Sequence, residues 1–252
     1  MSERAVSFGA AAAAYEHFRP GYPLELVDEV LAYADRPVRT ALEIGAGTGK
    51  ATRVFAASGV AVTATDPDVA MLAELRRQVP DVADTIAVPF EDVPLDRPYD
   101  LVFAAASLHW TRSKGRWDRV AALLGAGGVF ASFGGPTRLA DPSLAEAVRT
   151  ARAPFLRTDD VPSPDRTPVD APMQWPGTEL VAEDRFRDIR HSTLERRERI
   201  TAAGYLGLLS TISAYLVLPD EDRRAAFASI LRVLPGELDL DSDITLHLAR
   251  LA

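Results

Sequence analysis

The first half of the chain alternates between two patterns of hydrophobic positions. Five short runs are almost continuously apolar or β-branched, which is typical of strands buried on both faces of a sheet. They lie at 40–44, 60–65, 85–88, 99–105 and 127–133. Segments with helical spacing separate them, at 50–57, 66–78 and 117–124. This repetition of strand and helix predicts an α/β fold with a doubly wound, mostly parallel sheet.

The pattern changes after Gly135. Residues 136–182 contain eight prolines, so we expect an irregular insertion with one helix near 143–152. Regular elements are predicted to resume beyond the insertion. They are strand-like residues at 186–200, helices at 202–216 and 220–234, and a last strand at 244–250.

Composition narrows the class of protein. The 252 residues are 47% hydrophobic and 25% charged, which is ordinary for a globular domain. A net charge of −8 gives no general attraction for nucleic acid or for an anionic membrane, and we interpret Arg196, Arg197 and Arg199 as a solvated strand face. The chain has no cysteine, which excludes disulfides and thiolate metal sites.

Location and assembly are predicted from the same composition. The alanine run at 10–14 is too short for a signal peptide, and the apolar stretch at 205–218 is too short to span a bilayer. Because a chain without cysteine also fits a reducing compartment, we expect a cytoplasmic protein that binds no membrane and no nucleic acid. It is expected to be a monomer or a homodimer.

A glycine-rich turn follows the first predicted strand. Gly45, Gly47 and Gly49 are spaced by two, and Glu43 precedes them. Glycine lets a ligand approach the backbone, and in doubly wound sheets ligands bind beyond the carboxyl ends of the strands. A dinucleotide site would need its third glycine at position 50, which is Lys50. The spacing therefore favours a nucleoside with an amino-acid tail over a pyrophosphate.

The run at 43–49 (EIGAGTG) resembles the E-x-G-x-G-x-G signature of class I S-adenosylmethionine (SAM)-dependent methyltransferases, with Ala46 where the family often has cysteine. The resemblance covers residues 10 to about 135. It implies a seven-stranded Rossmann-like sheet, SAM as cofactor and S-adenosylhomocysteine (SAH) as product. It also implies that Glu43, Gly45, Ala46, Gly47 and Gly49 bind the cofactor.

Asp66 ends the second predicted strand. Its carboxylate can accept two hydrogen bonds from a ribose diol, and the family has its ribose-binding acid at this point. The alternative is that Asp66 caps a helix beginning at Pro67. Residues 66–72 also resemble the family's D-x-S-x-x-M-L stretch. This implies that Pro67 and Met71 contact the cofactor, with Met71 near the adenine, although Met71 is also suited to the core.

The segment after the third predicted strand, at 90–94, resembles the A-E-x-L-P stretch of the family. The acidic residue of that stretch lies beside the adenine amino group, which implies this position for Glu91. The alternative is that Glu91 is a surface acid. Phe90 stands where the family usually has a small residue and is expected to contact the cofactor through its backbone.

Residues 104–110 leave the fourth predicted strand and resemble the A-x-x-F/L-H-W stretch of a small-molecule subgroup similar to trans-aconitate methyltransferase-like proteins. The resemblance implies that Ala104 contacts the cofactor and that His109 and Trp110 face the acceptor. His109 is the candidate acid or base, because imidazole titrates near neutral pH. The alternative is that His109 and Trp110 only form the wall of a pocket.

The segment at 15–23 resembles the Y-x-x-x-R-P-x-Y-P stretch of the same subgroup. This implies that Arg19 pairs with the carboxylate of the cofactor, that Tyr15 covers it and that Tyr22 lies at the acceptor pocket. The alternative for Arg19 is a surface residue before a turn. In the helix predicted at 202–216, the polar side chains of Tyr205 and Ser213 are expected to face the acceptor.

These assignments predict a single methyltransferase domain over 1–252. Its parts are a helical cap at 1–36, a SAM-binding core at 37–135, an insertion and acceptor-side lid at 136–216, and a terminal helix and strand at 217–252. The predicted reaction transfers a methyl group from SAM to a small-molecule carboxylate, hydroxyl, amine or carbon. One alternative is a SAM-binding protein with other chemistry or a regulatory role. A second is an NAD(P)-dependent oxidoreductase, against which Lys50 at the position of the third glycine argues. No acid cluster follows the fourth strand, so no metal is expected.

Overall fold

The computed structural model describes residues 12–159, 162–168 and 170–252, so the first eleven residues of the predicted cap lie outside it. Strands and helices are numbered along the chain. The strands are β1 (Thr40–Ile44), β2 (Ala61–Thr65), β3 (Asp84–Ile86), β4 (Tyr99–Ala105), β5 (Leu124–Gly134), β6 (Arg138–Leu139), β7 (Phe186–Leu194), β8 (Arg197–Thr201), β9 (Glu237–Asp241) and β10 (Ile244–Leu251). The helices are α1 (Ala12–Phe18), α2 (Leu24–Ala34), α3 (Thr52–Ala57), α4 (Val69–Gln78), α5 (Arg116–Leu123), α6 (Pro142–Arg152), α7 (Gly177–Val181), α8 (Ala202–Leu209), α9 (Ser213–Leu216) and α10 (Asp220–Leu231).

These elements form two compact units. The sheet unit comprises the described residues of 21–134, 162–194 and 245–252. The insertion unit comprises those of 12–20, 135–159 and 195–244. The insertion unit is therefore assembled from three separate stretches of chain.

The sheet unit is built on a seven-stranded sheet in the order β3-β2-β1-β4-β5-β10-β7. The five strands from β3 to β5 pair in parallel, and β10 is antiparallel to β5. This confirms the predicted seven-stranded, mostly parallel sheet. Both faces are covered, because Trp117 of α5 packs on Phe130 while Phe55 of α3 stacks on Phe103.

The register of the central strands sets the position of the loops that follow them. Ile44 at the end of β1 pairs with Thr65 of β2 on one side and with Ala104 of β4 on the other. Parallel strands in register end at the same edge of a sheet. The residues that follow β1, β2 and β4 therefore meet at one edge, where doubly wound folds bind their ligands.

The insertion unit contains a three-stranded antiparallel sheet in the order β6-β9-β8, together with α1, α6, α8, α9 and α10. Its core is formed by buried side chains of four helices and of strand β9. They are Val148, Tyr205, Leu208, Leu209, Tyr215, Ile230, Leu238 and Leu240. Gly207 lets α8 approach α1 closely, because an added Cβ would lie 2.2 Å from the Phe18 ring.

Two predicted elements differ from the structure in kind, and some observed elements were not predicted. The helix predicted at 202–216 is two helices, because the hydroxyls of Ser210 and Thr211 donate to the carbonyls three residues earlier and close the turn after α8. The strand-like run at 186–200 is divided between two sheets, and its second part, β8, pairs with β9. Neither β9 nor α7 was predicted, and both follow segments with turn-forming proline or glycine.

Other differences concern the ends of elements. Helix α3 begins at Thr52 rather than at 50, and α5 ends at Leu123 because Leu124 already pairs with Tyr99. Strand β3 is confined to Asp84–Ile86, and α10 ends at Leu231 rather than 234. Such shifts of one to three residues are common where helices and strands fray at their ends.

Candidate functional site

The three glycines after β1 have positive φ angles and different surroundings. The φ angle is 64° at Gly45, 56° at Gly47 and 86° at Gly49. An added Cβ would lie 2.7 Å from Cβ of Ser107 at Gly45 and 2.8 Å from Cγ of Leu75 at Gly49, whereas at Gly47 it would meet nothing within 4 Å. Gly45 and Gly49 therefore allow close packing, and Gly47 leaves the backbone open to a ligand.

Glu43 lies in β1 immediately before this loop and is 1% exposed. Its Oε2 accepts a hydrogen bond of 2.5 Å from the Thr52 hydroxyl, while Oε1 has no hydrogen-bond partner among the described residues. Burial raises the pKa of Glu43 to about 8, the Thr52 hydroxyl opposes this, and the charge of Asp66 adds to it. The glycine loop thus adjoins a buried acid that holds a proton at neutral pH.

Asp66 follows β2 and is 9% exposed. Its Oδ2 accepts a hydrogen bond from the Gly47 amide at 2.9 Å, and its Oδ1 accepts one from the Asp68 amide at 2.8 Å. Burial raises the pKa of Asp66 to about 6, although both amide bonds lower it. The carboxylate is thereby held against the open glycine, and each oxygen retains a lone pair for a ligand hydroxyl.

The alternative role of Asp66 as a helix cap is wrong. Helix α4 begins at Val69, and its N-cap is Asp68, whose Oδ1 accepts bonds from the amides of Ala70 and Met71 at 2.9 and 3.4 Å. Pro67 therefore precedes the cap and is not the first helical residue. Because another acid caps the helix, Asp66 has no capping function to explain its position.

The remaining residues predicted around the cofactor are largely buried. Met71 is buried, and Ala46 packs in an apolar cluster with Leu72 and Leu75. The Phe90 side chain lies in the core of the sheet unit, and its carbonyl accepts a hydrogen bond from Arg119 at 2.7 Å. That bond occupies part of the backbone through which Phe90 was expected to contact the cofactor.

Glu91 is more than a solvated surface acid. Its Oε1 accepts a hydrogen bond of 2.6 Å from the Arg112 amide, so it links the segment after β3 to the segment after β4. It also lines an open groove of about 420 Å³ together with Arg112, Lys114 and Arg119. The predicted adenine-side acid is therefore held in place by the chain itself.

His109 lies in a 3₁₀ turn, Leu108–Trp110, that follows β4. Its ring centroid is 4.6 Å from that of Trp110, which is 37% exposed. Burial and the nearby Arg116 charge lower the pKa of His109 to about 4, so the imidazole is neutral at pH 7. Ala104, at the end of the same strand, is fully buried.

The residues predicted from the segment at 15–23 divide between the two units. Tyr22, in the sheet unit, packs edge-on against Phe133 with the ring centroids 5.0 Å apart. In the insertion unit, the Arg19 guanidinium lies over the Tyr15 ring and donates to the hydroxyl and the carbonyl of Thr211 at 2.8 and 3.2 Å. Arg19 is thus half-buried and bound by its own unit.

The two predicted acceptor-side residues in the helical segment are also in the insertion unit. Tyr205 belongs to its apolar core, and burial raises the pKa of its hydroxyl further above the usual range. Ser213 is buried at the start of α9. Their contact with an acceptor stays a prediction.

Two buried hydroxyls, of Thr65 and Ser107, bond to the end of β1, and neither had a role predicted from the sequence. Ser107 donates to the carbonyl of Ile44, and Thr65 donates to that of Glu43 at 2.7 Å. Each is a hydroxyl residue within two positions of the end of an apolar strand, and this was the signal available in the sequence. Across the described ranges, no three His, Asp or Glu side chains are grouped to hold a metal ion, and no helix is long and apolar enough to cross a membrane.

Comparisons with known proteins agree with this arrangement. Residues 42–130 match the family described as Methyltransferase domain. An uncharacterized methyltransferase of Mycobacterium tuberculosis is 39% identical over 127 residues, which are 50% of this chain and 51% of that protein. A protein of Saccharomyces cerevisiae named a probable S-adenosylmethionine-dependent methyltransferase is 33% identical over 46% of this chain and 43% of its own length. The alignments span about half the length of these curated relatives or less.

Two solved structures have the same fold over most of the chain. A protein of Anaeromyxobacter dehalogenans, provisionally assigned as a type II methyltransferase, is 26% identical with a TM-score of 0.65, over 92% of this chain and 97% of its own. Phosphoethanolamine N-methyltransferase 2 of Haemonchus contortus, solved with SAH, is 15% identical with a TM-score of 0.54, over all of this chain and 60% of its own. The more specific resemblance to the trans-aconitate subgroup stays a prediction. The chain contains a class I SAM-dependent methyltransferase domain, with its family match over residues 42–130.

Proposed function

We propose that the protein transfers the methyl group of SAM to a small-molecule acceptor. The observation that carries the donor side is the pairing of an open Gly47 with the buried Asp66 carboxylate at the edge where β1 and β2 end. The small-molecule acceptor is supported by the subgroup resemblance of the segments at 15–23 and 104–110. The domain match alone leaves the acceptor open.

On this proposal, each donor-side residue has one task. Asp66 accepts hydrogen bonds from the ribose hydroxyls, and Gly47 allows the cofactor to approach the backbone. Glu91 lies beside the adenine amino group, and Met71 and Pro67 contact the nucleoside. The contacts of Tyr15 and Arg19 with the carboxylate end of the cofactor stay predictions.

The buried carboxyl of Glu43 fits a cationic ligand. A carboxyl with an unpaired oxygen is costly to ionise when no positive charge is near, which is why its pKa is raised to about 8. A ligand with a net positive charge beside the glycine loop would favour the ionised form of both Glu43 and Asp66. The loop is therefore suited to a sulfonium compound and less suited to an anionic dinucleotide.

The acceptor side requires alignment more than acid–base chemistry. When bound, SAM supplies a methyl group already activated by its sulfonium, so the chain mainly orients the acceptor and excludes water. His109 is neutral above its pKa of about 4 and can accept a proton, although a base with so low a pKa is weak. If His109 is the base, the rate should rise through pH 4 and stay level above about pH 5.

Calorimetric titration tests the donor side. We expect SAM and SAH to bind with Kd values between about 1 µM and 1 mM, the usual range of KM. Asp66→Asn should weaken SAH binding about tenfold, because hydrogen bonds to a charged acceptor contribute about 1.5–3 kcal/mol. The control Asp84→Asn, at an exposed acid in β3, should bind SAH within twofold of the parent. Binding of NADH without binding of SAM would contradict the proposal.

Release of SAH tests the acceptor side. The protein should be incubated with SAM and separate sets of small carboxylic acids, alcohols, phenols and amines, and SAH should be measured by chromatography. Turnover with one set would identify the class of acceptor. SAM binding without SAH release for any set would favour the alternative of a SAM-binding protein with other chemistry.

A further inference from the structure

Two buried hydroxyls hold the end of β1 from opposite sides. Thr65 in β2 donates to the carbonyl of Glu43 at 2.7 Å, and Ser107 after β4 donates to the carbonyl of Ile44. These are the last two carbonyls before the glycine loop. Because a buried carbonyl without a donor is costly, each hydroxyl fixes one peptide of the strand end. The Ala46 amide, which donates to the Thr65 carbonyl at 2.8 Å, extends the attachment on the β2 side.

The contact between Ser107 and the loop requires a glycine. A Cβ on Gly45 would lie 2.7 Å from Cβ of Ser107 and 3.1 Å from its Oγ, closer than non-bonded carbons approach in proteins. Gly45 also has a φ of 64°, which side chains disfavour. The first glycine of the motif is thus explained by Ser107, whereas nothing within 4 Å explains the second, Gly47.

The chain just before Ser107 is strained. Ala106 has a φ of 52° in the left-handed region, its amide donates to the Phe133 carbonyl at 2.8 Å, and a Cβ on Gly134 would lie only 3.0 Å from its own Cβ. A non-glycine residue persists in this conformation only where its surroundings impose it. The strain therefore marks a turn that the structure holds in one position.

Ser107 makes two hydrogen bonds that connect β1 to the turn after β4. Its side chain donates to the end of β1, and its carbonyl accepts the Trp110 amide at 3.0 Å, which closes the 3₁₀ turn carrying His109. Thr65 has no comparable link to this turn, because its partners are the strand end and the glycine loop. The two hydroxyls are similar in burial and bonding but differ in what lies beyond them.

We propose that Ser107 is a positioning residue that holds the His109–Trp110 turn in place against the glycine loop. The inference rests on the proposed function, since it assigns the donor to the loop and the acceptor to the turn. In-line transfer needs both reactants held within a fraction of an ångström of the reactive geometry. A direct hydrogen bond between the segment that binds the donor and the segment that faces the acceptor helps to fix that geometry. Thr65 then supports the donor side only.

The test compares Ser107→Ala with the matched variant Thr65→Val, using SAH as the probe. Calorimetry should show that the wild-type protein binds SAH and that the Kd of each variant lies within about fivefold of the wild-type value, because the lost bonds are within the protein and do not contact the ligand. Hydrogen exchange in the SAH complex should separate them. The Trp110 and Thr111 amides should exchange at least tenfold faster in Ser107→Ala and within twofold of wild type in Thr65→Val.

Trp110 provides a second readout because it is 37% exposed, whereas Trp117 is buried and the third tryptophan, Trp175, packs against the core of the sheet unit. Saturating SAH should change the tryptophan emission of the wild type, and Trp110→Phe should remove that change. Ser107→Ala should lose at least half of the change at saturation, and Thr65→Val should keep it. Gly45→Ala should behave like Ser107→Ala, because its methyl group would displace the serine.

The outcomes separate the two proposals. A wild-type protein that binds neither SAM nor SAH would overturn the proposed function. Normal SAH binding with equal exchange at 110–111 in both variants would overturn the role of Ser107 and leave the proposed function standing. If Ser107→Ala does not fold, Ser107→Cys keeps the same shape with a somewhat larger atom and a weaker donor. Exchange in Ser107→Cys should then lie above wild type, and a wild-type rate would contradict the inference.

Discussion

The acids at the strand ends of the sheet unit and an acid beside the helices of the insertion unit have different partners. In the sheet unit, Glu43 and Asp66 at the strand ends are buried acids with raised pKa values, and the hydrogen bonds to them come from a hydroxyl and from backbone amides. In the insertion unit, the acid inside the helical cluster, Asp159, is paired with Arg152 and accepts a hydrogen bond from Tyr215. A buried acid without a cation reduces stability, and a paired cation offsets part or all of that cost. Glu43 and Asp66 therefore fit the ligand-binding role that we propose better than a purely structural role, whereas the pairing of Asp159 fits a structural role.

The largest effect is expected from the core of the insertion unit. Tyr215 is 0% exposed and packs against Phe227 with the ring centroids 5.4 Å apart. Tyr215→Ala should lower the free energy of unfolding by about 3–5 kcal/mol, the cost of removing a large buried ring. Tyr215→Phe should lower it by only about 1 kcal/mol, since it loses the hydroxyl bond alone. Urea denaturation measures both, and equal losses would mean that the polar cluster, rather than the ring, stabilises the unit.

The next effect concerns Glu43 and depends on pH. Its folded-state pKa of about 8 lies above the value of 4.5 expected for the unfolded chain, so the folded protein retains a proton between these values. The contribution of Glu43 to the free energy of unfolding is therefore fully present below pH 4.5 and is lost as the pH rises through 8. Glu43→Gln carries no such charge, so it should gain roughly 2–4 kcal/mol relative to wild type between pH 5 and pH 9. The free energy of unfolding should be measured for both proteins by urea denaturation across this range. If the two values change with pH in parallel, Glu43 has a stabilising partner in the folded protein, and the prediction is wrong.

His247, also in the sheet unit, should give the opposite sign. It is buried in β10 with no described hydrogen-bond partner at Nε2, and burial, with His191 nearby, lowers its pKa to about 4 from 6.5. The contribution of His247 to the free energy of unfolding is fully present above pH 6.5 and is lost as the pH falls toward 4. Between pH 7 and pH 5 the wild type should lose about 2 kcal/mol more than His247→Gln. Thermal unfolding at the two pH values measures this, and an equal loss would exclude His247 as the cause.

The smallest effect is expected on the exposed face of β8. Arg199 donates two hydrogen bonds to Asp239 of β9, at 2.8 and 3.1 Å, and both side chains are exposed. Exposed ion pairs contribute little because water and salt screen them. Arg199→Ala should therefore change Tm by less than about 2 °C. A larger change in Tm would mean that the exposed pair of Arg199 and Asp239 stabilises the insertion unit as much as a less exposed ion pair such as Arg152 and Asp159.

The two units also differ in how well the sequence predicts them. The apolar strands and the helices between them predicted the doubly wound, mostly parallel sheet, because periodicity is a local property of the chain. The resemblance of residues 43–49 to the methyltransferase motif implied its seven strands. The elements of the insertion unit were harder to predict from the sequence. Strand β9 and the division between α8 and α9 depend on pairing with β8 and on the hydroxyls of Ser210 and Thr211, and neither has a distinct local pattern.

Within the candidate site, the motif identified residue types, and the fold decided what each one contacts. The sequence suggested Asp66 as a possible cap for a helix beginning at Pro67, but the helix begins at Val69 and its cap is Asp68. Gly45 and Gly47 are equivalent in the motif, yet one packs on Ser107 and the other faces open space. Ser107 itself was overlooked because its partner, Ile44, is 63 residues away.

The sequence by itself determined the class of fold, because alternating apolar runs with a glycine turn between them are local patterns with few structural solutions. The cofactor was implied by the resemblance of residues 43–49 to the methyltransferase motif. Only the tertiary structure decided which acids are buried without a cation, which glycine is open and which hydroxyls hold the loop. Those properties arise where β1, β2 and β4 end side by side, and they depend on contacts between residues far apart in the chain. Burial and pairing, which set the pKa values of Glu43, Asp66 and His109, exist only once those strands have come together.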